Sequence, residues 1–362
     1  MKIAYVTIHV APELMQSGAG KKIKRQISVW RENGHEVSLF SLTPSEIPFP
    51  TERQFEFEKR ANILRRELNR ASALKRMLAS IREYKPDIIY LRFGLYSYPL
   101  HHIFKIAPVI LEINSNDKAE YATRGIFFYW INRLTRGFTF NSVSGIVSPT
   151  HELISILPPG APVSVISNGV DLTEVKPLPP TRNTNPVITL VGSPGMNWHG
   201  VDKLICFAEK SPDVIVNIVG YSQEDVGMPV PANVFLHGFL AWPDLREILR
   251  NTDVACGTLA LHRKNMQEAC PLKVREALAC GIPVVIAYHD TDLSGVTLDT
   301  VLQIPNVEDN VLQNAQRIRQ FAREMIGRRV DTNFVASYLD HRKKEAARLA
   351  FFERILAGTE GK

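Results

Sequence analysis

Short apolar runs alternate with longer, helix-periodic segments along the whole chain. Residues 2–8, 36–42, 86–92 and 108–114 read as core strands, and 145–148 and 163–166 as two shorter ones. A second series follows at 187–191, 214–219, 234–237, 253–257 and 283–287, with helical segments between. Near-continuous apolar runs suit strands covered on both faces, and alternation of strand and helix predicts parallel sheets. The chain therefore reads as two doubly wound α/β halves, with ligands expected at the carboxyl ends of the strands.

Local signals refine this outline. Ser17-Gly-Ala-Gly20 breaks the first pattern, and a helix over 21–33 ends at Asn33-Gly34. Gly18 and Gly20 lack the third glycine of a dinucleotide fingerprint. They mark either a plain turn or a close backbone approach to a ligand at a helix start. Residues 55–85 read as one long helix carrying Lys59, Arg60, Arg65, Arg66, Arg70, Lys75, Arg76, Arg82 and Lys85, with an apolar stripe of Ile63, Leu64, Leu68, Leu74, Leu78 and Ile81. Such a helix is either a solvated basic face or a membrane-surface contact. The stretch 172–186, with Lys176-Pro-Leu-Pro-Pro180 and Asn183-Thr-Asn-Pro186, reads as a linker. This predicts one domain over 1–175, a second over 186–332, and a charged helix over 333–362 that packs back across the linker on Phe351, Phe352, Ile355 and Leu356.

The chemistry gathers at 253–289. There a buried strand is followed by a polar loop, a short helix and another buried strand. Pro271 suits a first helical position, and Gly281 suits a C-terminal cap with positive φ. The free N–H groups of such a first turn can hold a phosphate or a sugar hydroxyl. Lys273 adds a cation where the helix dipole disfavours one, which an anion opposite it would explain. Glu268 precedes the helix and Glu276 lies about one turn inside it. Carboxylates accept from sugar diols, so a nucleotide-sugar fits, with the hexose at Glu268, the ribose at Glu276 and the diphosphate between. The competing reading makes both acids solvated and Lys273 their salt-bridge partner. In the first half Arg92, Asn114 and Glu120 are candidates to face the same ligand region as Gly18.

Composition narrows the classes. The chain has 362 residues, 45% hydrophobic and 22% charged, which allows two domains with their own cores. The net charge of +6 favours an acidic partner mildly. The four cysteines form no C-x-x-C pair, and reduced thiols in a cytoplasmic protein are expected. The amino terminus reads as a strand rather than a signal peptide, and no run of 18 apolar residues occurs. The basic residues lack interleaved aromatics, so no nucleic-acid partner is expected.

Several motifs together resemble the family 4 retaining glycosyltransferases, which have the GT-B fold. Glu268-x7-Glu276 followed by Ala-Leu-Ala-Cys-Gly-Ile-Pro-Val-Val resembles the family's E-x7-E signature and its tail. Asn33-Gly-His-Glu-Val37, Val165-Ile-Ser-Asn-Gly-Val-Asp171 and His237-Gly238 with Asp244-Leu245 resemble further family motifs, in the family's order. The resemblance implies two Rossmann-like domains facing a cleft, with the donor on the second and the acceptor on the first. It implies retention at the anomeric carbon and no metal or cofactor. Glu268 would hold the sugar hydroxyls and Glu276 the ribose. Backbone N–H groups of Ala269, Cys270, Pro271 and Leu272 are assigned to the sugar and phosphate in that pattern, although proline itself has none. The loop at Gly238 and Phe239 would hold the base.

The family's usual arginine and lysine on the phosphates are here Ser193 and His199. Lys273 is therefore the expected source of charge, with Lys203 and His199 as lesser contributors. Asn114 stands where the family often has histidine; it can hold a hydroxyl and cannot act as a base. The surface-polysaccharide subgroup looks similar. The expected activity is transfer of glucose or N-acetylglucosamine from UDP to a saccharide or polyprenyl-linked acceptor, with peripheral contact at the inner membrane face. The alternatives are a GDP-mannose enzyme, a GT-B epimerase or phosphorylase, and a non-catalytic nucleotide-binding module.

Overall fold

The computed structural model describes residues 1–8, 18–44, 53–58 and 62–360. Ser17, Lys59 and Arg60 lie outside the described residues. The chain divides into two compact units, Met1–Ile166 with Arg342–Lys362, and Ser167–His341.

The first unit runs β1 (Lys2–Thr7), α1 (Gly18–Glu32), β2 (Glu36–Thr43), β3 (Arg53–Glu56), α2 (Ile63–Tyr84), β4 (Ile88–Arg92), β5 (Val109–Glu112), α3 (Asp117–Thr123), α4 (Ile126–Phe140), β6 (Gly145–Ser148) and β7 (Val163–Val165). Its seven strands lie in the order β3-β2-β1-β4-β5-β6-β7, all neighbours parallel. The order reverses between β1 and β4, and that switch point is where such sheets take ligands.

Two expectations need correction here. Gly18 and Gly20 form the first turn of α1 rather than a turn before it. The long basic helix expected over 55–85 is a short strand at 53–56 and then α2, capped by the Asn62 side chain. Of its expected apolar stripe, Leu74, Leu78 and Ile81 are buried, whereas Leu64 and Leu68 are 72% and 63% exposed. The side chains that cover β2 and β3 come from the later turns of α2, from Ala73 onward.

The second unit runs β8 (Val187–Val191), α5 (Val201–Glu209), β9 (Ile215–Val219), α6 (Gln223–Val226), β10 (Val234–Leu236), α7 (Trp242–Arg250), β11 (Val254–Cys256), β12 (Glu268–Ala269), α8 (Leu272–Ala279), β13 (Val284–Ile286), β14 (His289–Asp290), β15 (Val301–Gln303), α9 (Asn310–Gln313), α10 (Ala315–Glu324) and α11 (Thr332–Tyr338). Its main sheet has the order β10-β9-β8-β11-β13-β15, and β12 pairs with β14 apart from it.

The proline-rich stretch expected as a linker packs inside the second unit. Val175 and Leu178 are buried, the Leu178 N–H donates to the Cys280 carbonyl (2.9 Å), and Arg329 donates to the Pro179 carbonyl (2.7 Å). Val175 and Leu178 are three residues apart, one turn of a polyproline-type extended chain, so both lie on the side that is buried. The terminal helix α12 (His341–Glu360) returns to the first unit. There Phe352 packs edge-on against Trp30 (5.3 Å between centroids) and beside Tyr90 (5.3 Å), while Tyr5 packs on both Trp30 and Tyr90. The Trp30 indole donates to Glu345, and Arg348 donates to the Tyr90 hydroxyl and to Glu345.

Candidate active site

In the second unit the site is built on the start of α8. Pro271 is the cap residue rather than the first helical one, with ψ 137°, and Gly281 has φ 79° just beyond the C-terminal end. The first N–H to bond within the helix is Val274, to the Pro271 carbonyl. The N–H groups of Leu272 and Lys273 precede it, and no acid lies in this turn. The Lys273 ammonium nitrogen is buried without a hydrogen-bond partner. Burial lowers its pKa to about 8, opposed only by the Cys256 thiol. A salt bridge from Lys273 to Glu268 or Glu276 is therefore not made. Glu268 is half-buried in β12, with its residue paired to His289, and Glu276 is half-buried one turn into α8.

The loop before α8 is clamped by residues that spacing alone does not single out. The Asn168 side chain donates to the Cys270 carbonyl (2.9 Å). Buried Arg275 donates to the Asn168 carbonyl (3.2 Å) and bonds Asp290 and Asp292. Asp292 in turn accepts from Ser167 (2.7 Å). Gly169 has no room for a side chain, because a Cβ would lie 2.4 Å from the His341 Cα. Asp171 accepts from the N–H and hydroxyl of Thr173. The Asn-Gly-Val-Asp motif is thus the brace of the Cys270–Pro271 loop.

Below β8 the chain departs from the expected charge supply. His199 is buried, its Nδ1 shared by the Tyr221 hydroxyl (2.9 Å) and the Ser193 N–H (3.3 Å). Burial, with Lys273 and Lys264 nearby, lowers its pKa to about 2, so it is neutral and adds no cation. Lys203 is also buried, and its ammonium bonds the Val307 carbonyl (2.9 Å) and the Asn310 side chain (3.1 Å). Its charge is committed to the packing of α5 against α9. Of the three expected cations only Lys273 is left unengaged. At the loop expected to hold the base, Gly220 N–H donates to the Gly238 carbonyl and Gly238 N–H to the Tyr221 carbonyl, while Phe239 is 84% exposed.

In the first unit a cavity of about 450 Å³ opens at the carboxyl ends of β1, β2, β4 and β5. Arg92, Asn114 and Glu120, named above from sequence, all line it, with Arg66, Arg70 and Arg124. Glu120 accepts from Ser115 (2.5 Å) and Arg124 (2.7 Å). Behind the cavity lies Glu112, which sequence reading missed because it stands inside an apolar strand run. Burial alone would raise its pKa, but Lys22, Arg92 and Arg348 hold it well below the usual carboxylate range. Glu112 fixes Lys22 (2.9 Å) and Arg92 (3.1 Å). Lys22 also donates to Asn114 Oδ1 (3.2 Å), which leaves the Asn114 amide hydrogens for a ligand. Gly18 is exposed and Gly20 buried in the first turn of α1.

Comparisons with known proteins agree with this architecture. Residues 17–174 match the model of Glycosyltransferase Family 4, and residues 185–326 match that of Glycosyl transferases group 1. No curated protein matches the sequence. Among solved structures, sucrose-phosphate synthase from Thermosynechococcus elongatus is similar at a TM-score of 0.70 and 14% identity, with 99% of each chain covered. The lipopolysaccharide outer core galactosyltransferase WaaB is similar at 0.68 and 12%, covering 98% of this chain and 100% of its own. HepE of Anabaena, solved with UDP-glucose, is similar at 0.62 and 15%, covering 97% of this chain and 99% of its own. Two parallel-sheet Rossmann-like units, the matched models and the GT-B neighbours lead to one assignment: the chain belongs to glycosyltransferase family 4 and is a glycosyltransferase enzyme.

Proposed function

We propose that this enzyme is a retaining hexosyltransferase that takes glucose or N-acetylglucosamine from UDP and adds it to a saccharide or lipid-linked acceptor in surface-polysaccharide synthesis, at the cytoplasmic side of a membrane. The observation that carries the reading is the buried, unpartnered Lys273 ammonium at the start of α8. A diphosphate is the ligand that such a cation and the adjoining N–H groups complement. Support for UDP comes from HepE, solved with UDP-glucose, and support for the pathway from WaaB.

In this reading Glu268 grips the hexose hydroxyls and Glu276 the ribose. Ala269, Cys270 and Leu272 present backbone to the sugar and phosphate, and Pro271 sets the helix start. Gly238 and Phe239 flank the base, and Ser193 contributes its short side chain where the family carries a cation. Lys273 neutralises the departing diphosphate. Arg92, Asn114 and Glu120 hold the acceptor in the first-unit cavity.

Thermal-shift measurements against UDP, GDP, ADP and their sugars test the donor. Stabilisation should follow mass action, about 2.7 kcal/mol at a hundredfold excess over Kd, and should select UDP. Selection of GDP would move the proposal to a mannosyltransferase, and no response to any nucleotide would end it. Glu268→Ala should cripple transfer more than it weakens UDP binding. Sugar released or epimerised, rather than transferred, with acceptor present would favour the GT-B alternatives.

A further inference from the structure

Helix α4 is inverted for a helix on a protein in water. Its inward side is polar along the middle turns, with buried Phe140 packing on Phe93 only at the carboxyl end. Asn132 is buried and donates to Asp117 (2.8 Å), and Arg136 donates to the same carboxylate (2.8 Å) and to the Ile156 carbonyl (2.9 Å). Its outward side is apolar: Ile126 is 72% exposed, Phe127 67%, Trp130 49%, Leu134 73% and Phe138 60%. Positions 126, 130, 134 and 138 recur every fourth residue, so they form one stripe along the helix, with Phe127 beside it. Water should drive such a stripe inward, and a surface helix ordinarily shows the opposite arrangement.

The charges around the stripe are mainly basic: Arg124 is paired with Glu120 and Arg136 with Asp117, while Arg133 is exposed beside the stripe. From Tyr121 to His151 the sequence holds no Asp or Glu, while Arg124, Arg133 and Arg136 are present. The Arg133 guanidinium lies over the exposed Trp130 ring, 5.8 Å from its centroid. Helix α2 adds exposed Leu64 and Leu68, with Arg65, Arg66 and Glu67 between them, Glu67 paired to Arg70. Both helices border the cavity described above, α2 through Arg66 and Arg70 and α4 through Phe128.

We propose that the outward face of α4 docks the first unit on an anionic phospholipid bilayer, with the helix lying in the interface plane. Aromatic and aliphatic side chains enter the headgroup boundary, and the flanking arginines meet lipid phosphates. A second copy of the chain fits less well, because a self-complementary pairing of this stripe would crowd the exposed Arg133 side chains at one seam. Among the described residues no helix is long and apolar enough to cross a membrane, so the contact is one of lying on the surface. Docking goes beyond the donor chemistry and stands whichever nucleotide is used. Where the acceptor is lipid-linked, it would place the arginine-lined cavity beside the headgroups.

Sedimentation of the full chain with vesicles tests this, using phosphatidylcholine alone and phosphatidylcholine with 30% phosphatidylglycerol (about a third anionic, enough to set up a surface potential). The comparison is a variant carrying Phe127→Gln, Trp130→Gln, Leu134→Gln and Phe138→Gln. Phe128 is left intact because it lines the cavity. The wild type should pellet with the anionic vesicles and much less with the neutral ones. The variant should lose about tenfold or more in partitioning, since each lost apolar side chain weakens insertion. Its melting curve and its response to UDP should be unchanged, because the altered side chains are exposed. Absence of pelleting by the wild type, or equal pelleting by the variant, would overturn the proposal. So would a dimer in sedimentation velocity that the variant abolishes, which would give the face to a second copy. A failed UDP response with intact vesicle binding would count against the donor reading alone.

Discussion

The Lys273 ammonium is charged, buried and without a hydrogen-bond partner, a combination that costs free energy in the free protein. Its pKa of about 8 states the same imbalance. An anion bound opposite would raise that pKa, so the protonated form binds. Donor affinity should therefore be level below pH 8 and weaken as pH rises above it. Titration of UDP binding from pH 7 to 9.5 checks this, and Lys273→Arg should flatten the curve. Lys273→Ala should lower kcat/KM about 10²-fold, roughly 2.7 kcal/mol, as for loss of one charge-stabilising donor. Near-normal activity in that variant would remove Lys273 from the proposed phosphate site. Glu112 is the opposite kind of residue, a buried acid balanced by Lys22, Arg92 and Arg348. Glu112→Gln should destabilise the protein by about 3–5 kcal/mol in a denaturant melt, because it strands buried cations. Because its pKa is depressed in the folded state, the stability it contributes is present above the ordinary carboxylate pKa and is lost as pH falls below that value.

At the scale of elements, the strands that were legible are those buried on both faces. Their side chains need no alternation, so β1, β2, β4, β5, β8 and β9 appear in the sequence as plain apolar runs. β3, β12, β14 and β15 were not legible, because they are two to four residues long and polar or half-exposed. The start of α8 was legible from Pro271, Gly281 and the acid spacing. The clamp behind it was not, since Asn168, Arg275 and Asp292 meet only through tertiary folding. The inversion of α4 was equally hidden: periodicity reports that a helix has two faces, and the partner of each face is set by the fold. Gly169 gives this scale its test. Gly169→Ala would press a methyl group into the His341 backbone, and such overpacking costs about 1–3 kcal/mol. A melt unchanged by that substitution would show that α12 does not hold its start there.

For the molecule as a whole, α12 completes a core that begins at the other end of the chain. Phe351, Phe352 and Ile355 are buried with Ile3, Tyr5, Trp30 and Tyr90. Ending the chain at His341 would remove them together with Arg348 and Glu345, which satisfy the Tyr90 hydroxyl and the Trp30 indole. The truncated protein should lose near-ultraviolet dichroism and become protease-sensitive in residues 1–166, while UDP still protects 167–341. A truncated chain that melts like the intact one would contradict this account.

The return of α12 also orders the events of synthesis. A ribosome delivers the first unit's strands early, yet the aromatic residues of α12 that close its core are translated after the whole of the second unit. The second unit has all its residues, up to His341, before that closing segment emerges. The unit whose strands come first is therefore closed only after the second has been made, and until α12 emerges Trp30 and Tyr90 lack the Phe352 ring that covers them.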